Sequence, residues 1–254
     1  MNSNVQDYPL IASQTGKFRR GVPRNFKLSA ASNALAFLRA KDGFSPKLDL
    51  WVVRNLDSTP TEVLLIDTDA LVFDESQLSD KEKARRERLR EAGAGITQFS
   101  TNQDFSVFVF PLSGSLFLWR DGKVKQLGEF DAVVDPQLDP TGTLVAFTSN
   151  QDFVIADLEG SELHRLKSEK ETEFFGLADF IASEELSRYR GHWWSPDGSS
   201  ILVQKTDEAV VSTRWISDPT NPEQSPRLHR YPAAGTENAE LELLLLELAT
   251  KKLQ

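Results

Sequence analysis

The pattern that organises this chain is clearest in LDPTGTLVAFTSNQ, residues 138–151, followed after one residue by FVIADLEGSELHRL, residues 153–166. A turn containing Pro, Thr and Gly leads into an alternating apolar strand, and a short break separates this strand from a second one. Asp-Gly and Gly-Ser pairs are typical of hairpin turns, because glycine adopts positive φ without steric cost. The segment therefore predicts an antiparallel strand pair opened by a tight turn.

The same order of turn, strand, break and strand recurs along the chain, at residues 27–55, at residues 99–127 and, as the start of another copy, at WSPDGSSILVQKTD, residues 194–207. Repeats of roughly 40–50 residues with four short strands each are typical of β-propeller blades. A generic β-sandwich is the alternative, but it gives no reason for this order to repeat. We therefore predict an all-β chain: a lead-in at residues 1–25, then a partial β-propeller of about four blades over residues 26–254.

Two insertions with helical character break the repeats. The first lies at about residues 76–93, where Ser79 and Glu82 fit a capping box and strong helix formers run through Arg90. Its apolar content is too low for a core helix, so a solvated, ion-paired surface helix is the default interpretation.

The second insertion, at about residues 176–190, contains the adjacent pair Glu184 and Glu185. We expect a helix from about Asp179 to Tyr189, with the apolar side chains facing inward and the glutamates exposed; the inward set is Phe180, Ile181 and Leu186. Neighbours on a helix point about 100° apart, so both carboxylates could reach one ligand only where the helix ends or frays.

An exposed Glu pair is most often solvated surface. What two neighbouring carboxylates do well is bind an ammonium ion, which offers three donors and a full positive charge. Glu184 and Glu185 are therefore candidates for recognising a free amino terminus or a lysine-like group. They are poorly placed for glycoside hydrolysis, which needs carboxylates on opposite sides of a sugar.

Composition excludes several classes of function. The net charge of −9 argues against a nucleic-acid or anionic-membrane surface, because both need clustered Lys and Arg. The chain has no cysteine, which excludes disulfides and thiolate chemistry. A signal peptide and an apolar run of about 18 residues are both absent from the sequence, so we expect a cytoplasmic protein with no membrane contact.

Most catalytic motifs are missing from the sequence. It contains no G-x-S-x-G, P-loop, dinucleotide fingerprint or H-E-x-x-H pattern. The three histidines, His164, His192 and His229, have no metal-ligand spacing, and we interpret them as strand or loop residues. We therefore predict no catalytic residue, no metal site and no cofactor in this chain.

Three segments carry a family resemblance: GLADFIASEELSRYRGHWWSPDG (176–198), HRYPAAGTEN (229–238) and LSDKEKARRERLREAGAGIT (78–97). From about residue 26 onward the sequence resembles the N-terminal propeller of the dipeptidyl peptidase IV group, within the prolyl oligopeptidase family of serine peptidases. The Arg-rich segment is most similar to the cytosolic branch, dipeptidyl peptidases eight and nine, and to related bacterial enzymes.

The resemblance implies a role for each insertion. Glu184 and Glu185 match the two glutamates that bind the amino terminus of the substrate, which lets these enzymes remove dipeptides from peptide N-termini. Arg90 matches, by its register with the following Gly-Ile-Thr, an arginine that contacts a substrate carbonyl. The neighbouring arginines leave that assignment open by about one turn; they are Arg85, Arg86 and Arg88.

The resemblance also implies what this chain lacks. The catalytic Ser, Asp and His of the family lie in a C-terminal α/β-hydrolase domain, which nothing here matches, and the family propeller has eight blades. We therefore expect the front part of a longer enzyme, inactive alone, whose partners are peptide N-termini and the missing hydrolase domain. Members of this group are commonly dimers, so the complete enzyme could be a homodimer. The alternative is a stand-alone, non-catalytic propeller-like module that binds peptides or proteins.

Overall fold

A computed structural model of the chain describes residues 7–71 and 94–254. Within those ranges the protein is built almost entirely from β-strands, with two short α-helices, α1 (Tyr8–Gln14) and α2 (Phe180–Glu185), and one 3₁₀ turn, Thr68–Ala70. Neither helix is long and apolar enough to span a bilayer. The helical insertion predicted at about residues 76–93 lies outside the described residues.

The first sheet is an antiparallel meander in which each strand pairs with the next one in sequence. Its strands are β1 (Arg24–Ser29), β2 (Ala34–Arg39), β3 (Lys47–Arg54) and β4 (Thr61–Ile66), and the short strand β5 (Ala94–Gly95) adds to β3 in parallel. The side chains of Leu38, Leu50 and Val52 are fully buried. The strand pair predicted at residues 27–55 is therefore confirmed as the centre of this sheet.

The second and third sheets repeat this meander. The second consists of β6 (Ser100–Thr101), β7 (Val107–Leu112), β8 (Ser115–Arg120) and β9 (Lys123–Gln126). The third consists of β10 (Val133–Leu138), β11 (Leu144–Ser149), β12 (Asp152–Asp157) and β13 (Glu162–Leu166). The strand pairs predicted from the sequence are β7 with β8 and β11 with β12, and both are confirmed.

The fourth sheet differs at its first strand, which is divided into β14 (Glu173–Phe175) and β15 (His192–Trp194). Both segments pair with β16 (Ser200–Asp207), and β16 pairs over its whole length with β19 (Glu240–Glu247), which β20 (Lys252–Leu253) follows. Between β16 and β19 the chain forms a two-stranded hairpin, β17 (Thr213–Ile216) with β18 (Arg227–Arg230). The segment ELELLLLEL, open to either interpretation from its sequence, is a strand.

The turns between the first two strands of the four sheets share one backbone feature. Between the first and second strand of each sheet lies a residue with positive φ, at values of 48°, 58°, 72° and 72° for Asn33, Phe105, Gly142 and Gly198. Acidic side chains fix two of these turns: Asp139 accepts bonds from the N–H groups of Thr143 and Leu144, and Asp197 accepts one from Ser199. Each turn follows the first strand of its sheet, so the copies predicted to start at DPTG and SPDG start at the second strand instead.

The chain divides into two compact units, formed by the described parts of Met1–Asn150 with Ile155–His164 and of Gln151–Val154 with Arg165–Gln254. In the first unit Phe108 is fully buried, and its ring lies 5.5–5.9 Å from the aromatic rings of Phe99, Phe105 and Trp119. In the second unit the fully buried residues Ile201 and Val203 on β16 form part of the core. β16 is the strand from which the candidate site is built.

Candidate functional site

The insertion that carries Glu184 and Glu185 interrupts the edge of the fourth sheet at a single point. β14 pairs with residues 205–207 of β16, and β15 pairs with residues 201–203. Gln204 lies between these pairings: its carbonyl accepts a bond from the N–H of Gly176 at 2.8 Å, and its own N–H donates to the carbonyl of Gly191 at 2.7 Å. Residues 177–190 therefore leave the sheet and return to it opposite one residue.

The two legs of the insertion are also bonded to each other. The N–H of Gly191 donates to the carbonyl of Gly176 at 3.1 Å, and the N–H of Ala178 donates to the carbonyl of Tyr189 at 3.3 Å. Leu177 and Arg190 form an antiparallel bridge between these bonds. The base of the insertion is thus a small ladder continuous with the sheet, and it fixes where the insertion starts.

The buried ring of His192 supports this base from the adjoining strand. Its Nδ1 lies 2.9 Å from the carbonyl oxygen of Gly176, and its ring lies 5.1 Å from the ring of Phe153. The other two histidines lie in β13 and β18. All three are strand residues, and the described part of the chain contains no cluster of His, Asp or Glu arranged for a metal ion.

Helix α2 begins at a well-formed cap. The side chain of Asp179 accepts a bond from the N–H of Ala182, and the Asp179 carbonyl accepts bonds from the N–H and the hydroxyl of Ser183. Ala182 and Ser183 are buried and form the inner face of the helix. Asp, Asn, Ser and Thr are the residues that satisfy the first N–H groups of a helix in this way.

The helix ends five residues after it begins, earlier than the sequence predicted. The N–H groups of Leu186 and Arg188 both donate to the carbonyl of Ala182, and Ser187 has a φ of 52°, which turns the chain back towards the sheet. Leu186 is 70% exposed, so the prediction that it faces inward is wrong. Phe180 and Ile181 are half-buried. The inner face of the helix consists instead of the smaller residues Ala182 and Ser183.

Glu184 and Glu185 are the last two residues of α2, and both are exposed. This is the condition under which adjacent helical residues can reach one ligand, because the chain changes direction directly after them. The last carbonyl groups of a helix carry the negative end of its dipole, so this end favours a cation. No basic side chain lies in the last turn of this helix. Chemically, the arrangement can accept several hydrogen bonds from a positively charged donor.

Arg188 connects the chain after the helix to the cap before it. Its Nη2 lies 3.4 Å from Oδ1 of Asp179, and its Nη1 donates to the carbonyl of Arg190 at 2.8 Å. The guanidinium carbon lies 5.8 Å from the centre of the Trp193 ring. The side chain of Asp179 is 9% exposed and that of Arg188 is 34% exposed, so this ion pair is partly shielded from water.

Aromatic contacts hold the start of α2 against β18 and the residue that follows it. The Phe180 ring packs edge-on to Tyr231 at 5.3 Å and to His229 at 6.3 Å. The guanidinium of Arg214 lies 5.0 Å from the centre of the Tyr231 ring. The HRYPAAGTEN segment therefore contacts the helix that carries the two glutamates.

Glu184 and Glu185 were predicted as site residues from the sequence, whereas three residues around them were not. Asp179 had a recognisable signal, since Asp before an apolar helical segment is a common cap. Tyr231 lay in the segment HRYPAAGTEN, but its contact with Phe180 joins residues that are distant in sequence. The contact of Arg188 with Asp179 had no signal of its own. Arg90, the third predicted site residue, lies outside the described residues. Its contact with a substrate carbonyl therefore stays a prediction.

Comparison with known proteins places the chain in a family. Residues 97–254 match the family model described as the dipeptidyl peptidase IV (DPP IV) N-terminal region. Dipeptidyl peptidase 8 of Homo sapiens is 24% identical over 214 residues, which cover 72% of this chain and 24% of that protein. Inactive dipeptidyl peptidase 10 of Mus musculus is 30% identical over 108 residues, which cover 41% of this chain and 14% of that protein.

A solved structure shares the fold. The crystal structure of Porphyromonas gingivalis dipeptidyl peptidase 4 matches with a TM-score of 0.68 and 14% identity, covering 100% of this chain and 35% of that one. The predicted all-β, partial-propeller fold is confirmed by this match. The chain spans about a quarter of the length of human dipeptidyl peptidase 8. Because the family model covers more than half of the sequence, the chain belongs to the family of dipeptidyl peptidase IV N-terminal regions.

Proposed function

We propose that Glu184 and Glu185 bind the free amino terminus of a peptide, and that this chain is the N-terminal propeller portion of a serine dipeptidyl peptidase. The observation that carries the proposal is the position of the two carboxylates. They are adjacent and exposed at the C-terminal end of a helix whose insertion is bonded at both ends to Gln204.

The chemistry of an amino terminus suits this position. A protonated amine has three donors and one positive charge, and two carboxylates together offer enough acceptors for all of them. Each charge-assisted hydrogen bond contributes about 1.5–3 kcal/mol when it is shielded from water. Binding the amine at a fixed point would hold the bond after the second residue at a fixed distance, so the glutamates would act by positioning the substrate.

The remaining parts of the proposed reaction lie outside the described residues. The nucleophile and its partners would come from a hydrolase domain that this chain does not contain, and Arg90 would contact a substrate carbonyl. A cytoplasmic location for the complete enzyme stays part of the proposal.

The test is a calorimetric titration of the chain with two forms of one short peptide, the first with a free amino terminus and the second N-acetylated. We expect the free amine to bind at least about tenfold more tightly. The Glu184→Gln, Glu185→Gln variant should lose this preference. A control variant, Glu171→Gln with Glu223→Gln, removes the same charge at two exposed positions and should keep it. Equal binding of the two peptides by the unmodified chain would refute the proposal.

A second candidate function is a peptide-binding module that cleaves nothing. Similarity to a protein named inactive dipeptidyl peptidase 10 favours keeping it. The discriminating observation is whether the gene encodes an in-frame hydrolase segment with G-x-S-x-G beyond Gln254. Such a segment, together with dipeptide release by the complete gene product, would exclude the module.

A further inference from the structure

We propose that Arg188 is a positioning residue, which fixes the direction of the Glu184 and Glu185 carboxylates by tying the two ends of α2 together. The inference rests on the proposed amine-binding function and deepens it. Helix α2 has six residues, and isolated helices shorter than about 12–15 residues are marginal in water. The direction of its last two side chains therefore depends on contacts made outside the helix.

Arg188 makes the contacts that such a helix needs. Its guanidinium reaches Asp179, which caps the first turn, and the carbonyl of Arg190, which lies in the returning leg of the insertion. A guanidinium is planar and presents several donors in a fixed fork, so it can bond two acceptors at once. The start of α2 is thereby linked to the base ladder at Leu177 and Arg190.

Loss of this side chain would remove the guanidinium that lies 3.4 Å from Oδ1 of Asp179. An ionised carboxylate that is largely buried needs such a partner, so the first turn of α2 would loosen. The two glutamates would then sample several directions, and binding an amine would have to order them again. We expect the affinity for a free amino terminus to fall.

A purely electrostatic role for Arg188 predicts the opposite sign. The guanidinium is a cation three residues after Glu185, and a nearby positive charge opposes binding of a positively charged amine. If charge alone mattered, removal of Arg188 would tighten the binding of the free-amine peptide. The sign of the change therefore separates positioning from repulsion.

The first experiment measures amide hydrogen exchange of the chain without any ligand. In Arg188→Ala we expect exchange in residues 182–186 to become about tenfold faster, with β16 unchanged. The exchange rate in Arg188→Lys should lie between those of the unmodified chain and Arg188→Ala, because an ammonium group lacks the planar fork of a guanidinium. In a chain that already carries Asp179→Asn, the further change Arg188→Ala should raise the exchange rate in α2 only slightly. An unchanged exchange rate of α2 in Arg188→Ala would overturn the inference. The same increase in exchange rate with Asp179→Asn present as without it would also overturn it, and both results are independent of any ligand.

The second experiment repeats the titration with the free-amine and N-acetylated peptides. We expect Arg188→Ala to bind the free-amine peptide about tenfold more weakly and the acetylated peptide with little change. Tighter or unchanged binding of the free amine would overturn the inference while leaving the proposed function intact. If the unmodified chain itself shows no preference for the free amine, the proposed function fails, and the functional part of this inference fails with it.

Discussion

Gly191 lies where the two legs of the insertion come closest. A methyl group added to it would meet the N, C and O atoms of Leu177 at 2.6 Å, and backbone atoms cannot move aside as the end of a side chain can. Its φ lies outside the left-handed region, so glycine is required there by space alone. The sequence GHWW gave no sign of this requirement, because the contact joins residues that are distant in the chain.

The first prediction concerns this contact. We expect Gly191→Ala to lower the free energy of unfolding by about 2 kcal/mol, as forced overpacking does. Gly43→Ala is the matched control, because the nearest atom to its added methyl group lies at 3.9 Å and its φ is not positive. Urea unfolding of both variants measures the difference. Equal urea midpoints for the two variants would contradict the prediction, because they would show that the backbone at Leu177 moves aside at little cost in stability.

The second prediction concerns the pH dependence of stability at Asp207. Bonds from the ammonium of Lys170 at 2.6 Å and the hydroxyl of Thr172 at 2.7 Å hold the pKa of this carboxyl at about 2, below its usual 3.8. Because the folded-state pKa is lowered, the ionised carboxylate stabilises the fold above about pH 4, and this contribution is lost as the pH falls towards about 2.

Replacement of Asp207 isolates that contribution. We expect the free energy of unfolding to fall less steeply between pH 5 and pH 3 in Asp207→Asn than in the unmodified chain, because the amide does not ionise. Urea unfolding at both pH values measures the two slopes. Parallel slopes would mean that the Asp207 carboxylate contributes nothing to acid sensitivity.

Helix α2 shows that a sequence pattern can predict the presence of an element without predicting where the element ends. The central strand pairs of the first three sheets and strand β16 followed from alternation and from turn residues, which are local signals, and they were predicted correctly. The end of α2 was not, because it depends on a left-handed Ser187 and on a buried face of Ala182 and Ser183. The pair Glu184 and Glu185 was visible as a motif, whereas its position at the helix terminus was not.

The third prediction tests how α2 is held by its neighbour. Tyr231→Ala removes the ring that packs edge-on against Phe180 and should speed amide exchange in α2 severalfold. Tyr231→Phe keeps the ring, so we expect it to leave exchange in α2 unchanged. Equal exchange rates in the Ala and Phe variants would indicate that the aromatic contact does not stabilise the helix.

At the scale of the whole molecule, the repeat of turn, strand, break and strand predicted the sheets because each blade is assembled from residues adjacent in sequence. The family assignment is more specific than the fold, because it identifies residues 97–254 as a dipeptidyl peptidase IV N-terminal region. It assigns no activity to the chain. The sequence contains no G-x-S-x-G motif, and the hydrolase domain belongs to the proposed function.

The fourth prediction follows from the proposed function, in which this chain binds the substrate and another domain cleaves it. The purified chain should release no chromophore from a glycyl-prolyl reporter at any concentration. An activity assay with and without a serine-directed inhibitor measures this. Turnover by the pure chain that the inhibitor abolishes would contradict the account of this chain as the part that binds the substrate.

The most direct measurement of the central claim is a crystal structure of the chain bound to a short peptide with a free amino terminus. We expect the peptide nitrogen to lie within about 2.7–3.2 Å of carboxylate oxygens of both Glu184 and Glu185. A peptide whose amino terminus points into solvent, or is bound by other residues while the glutamates stay apart from it, would contradict it.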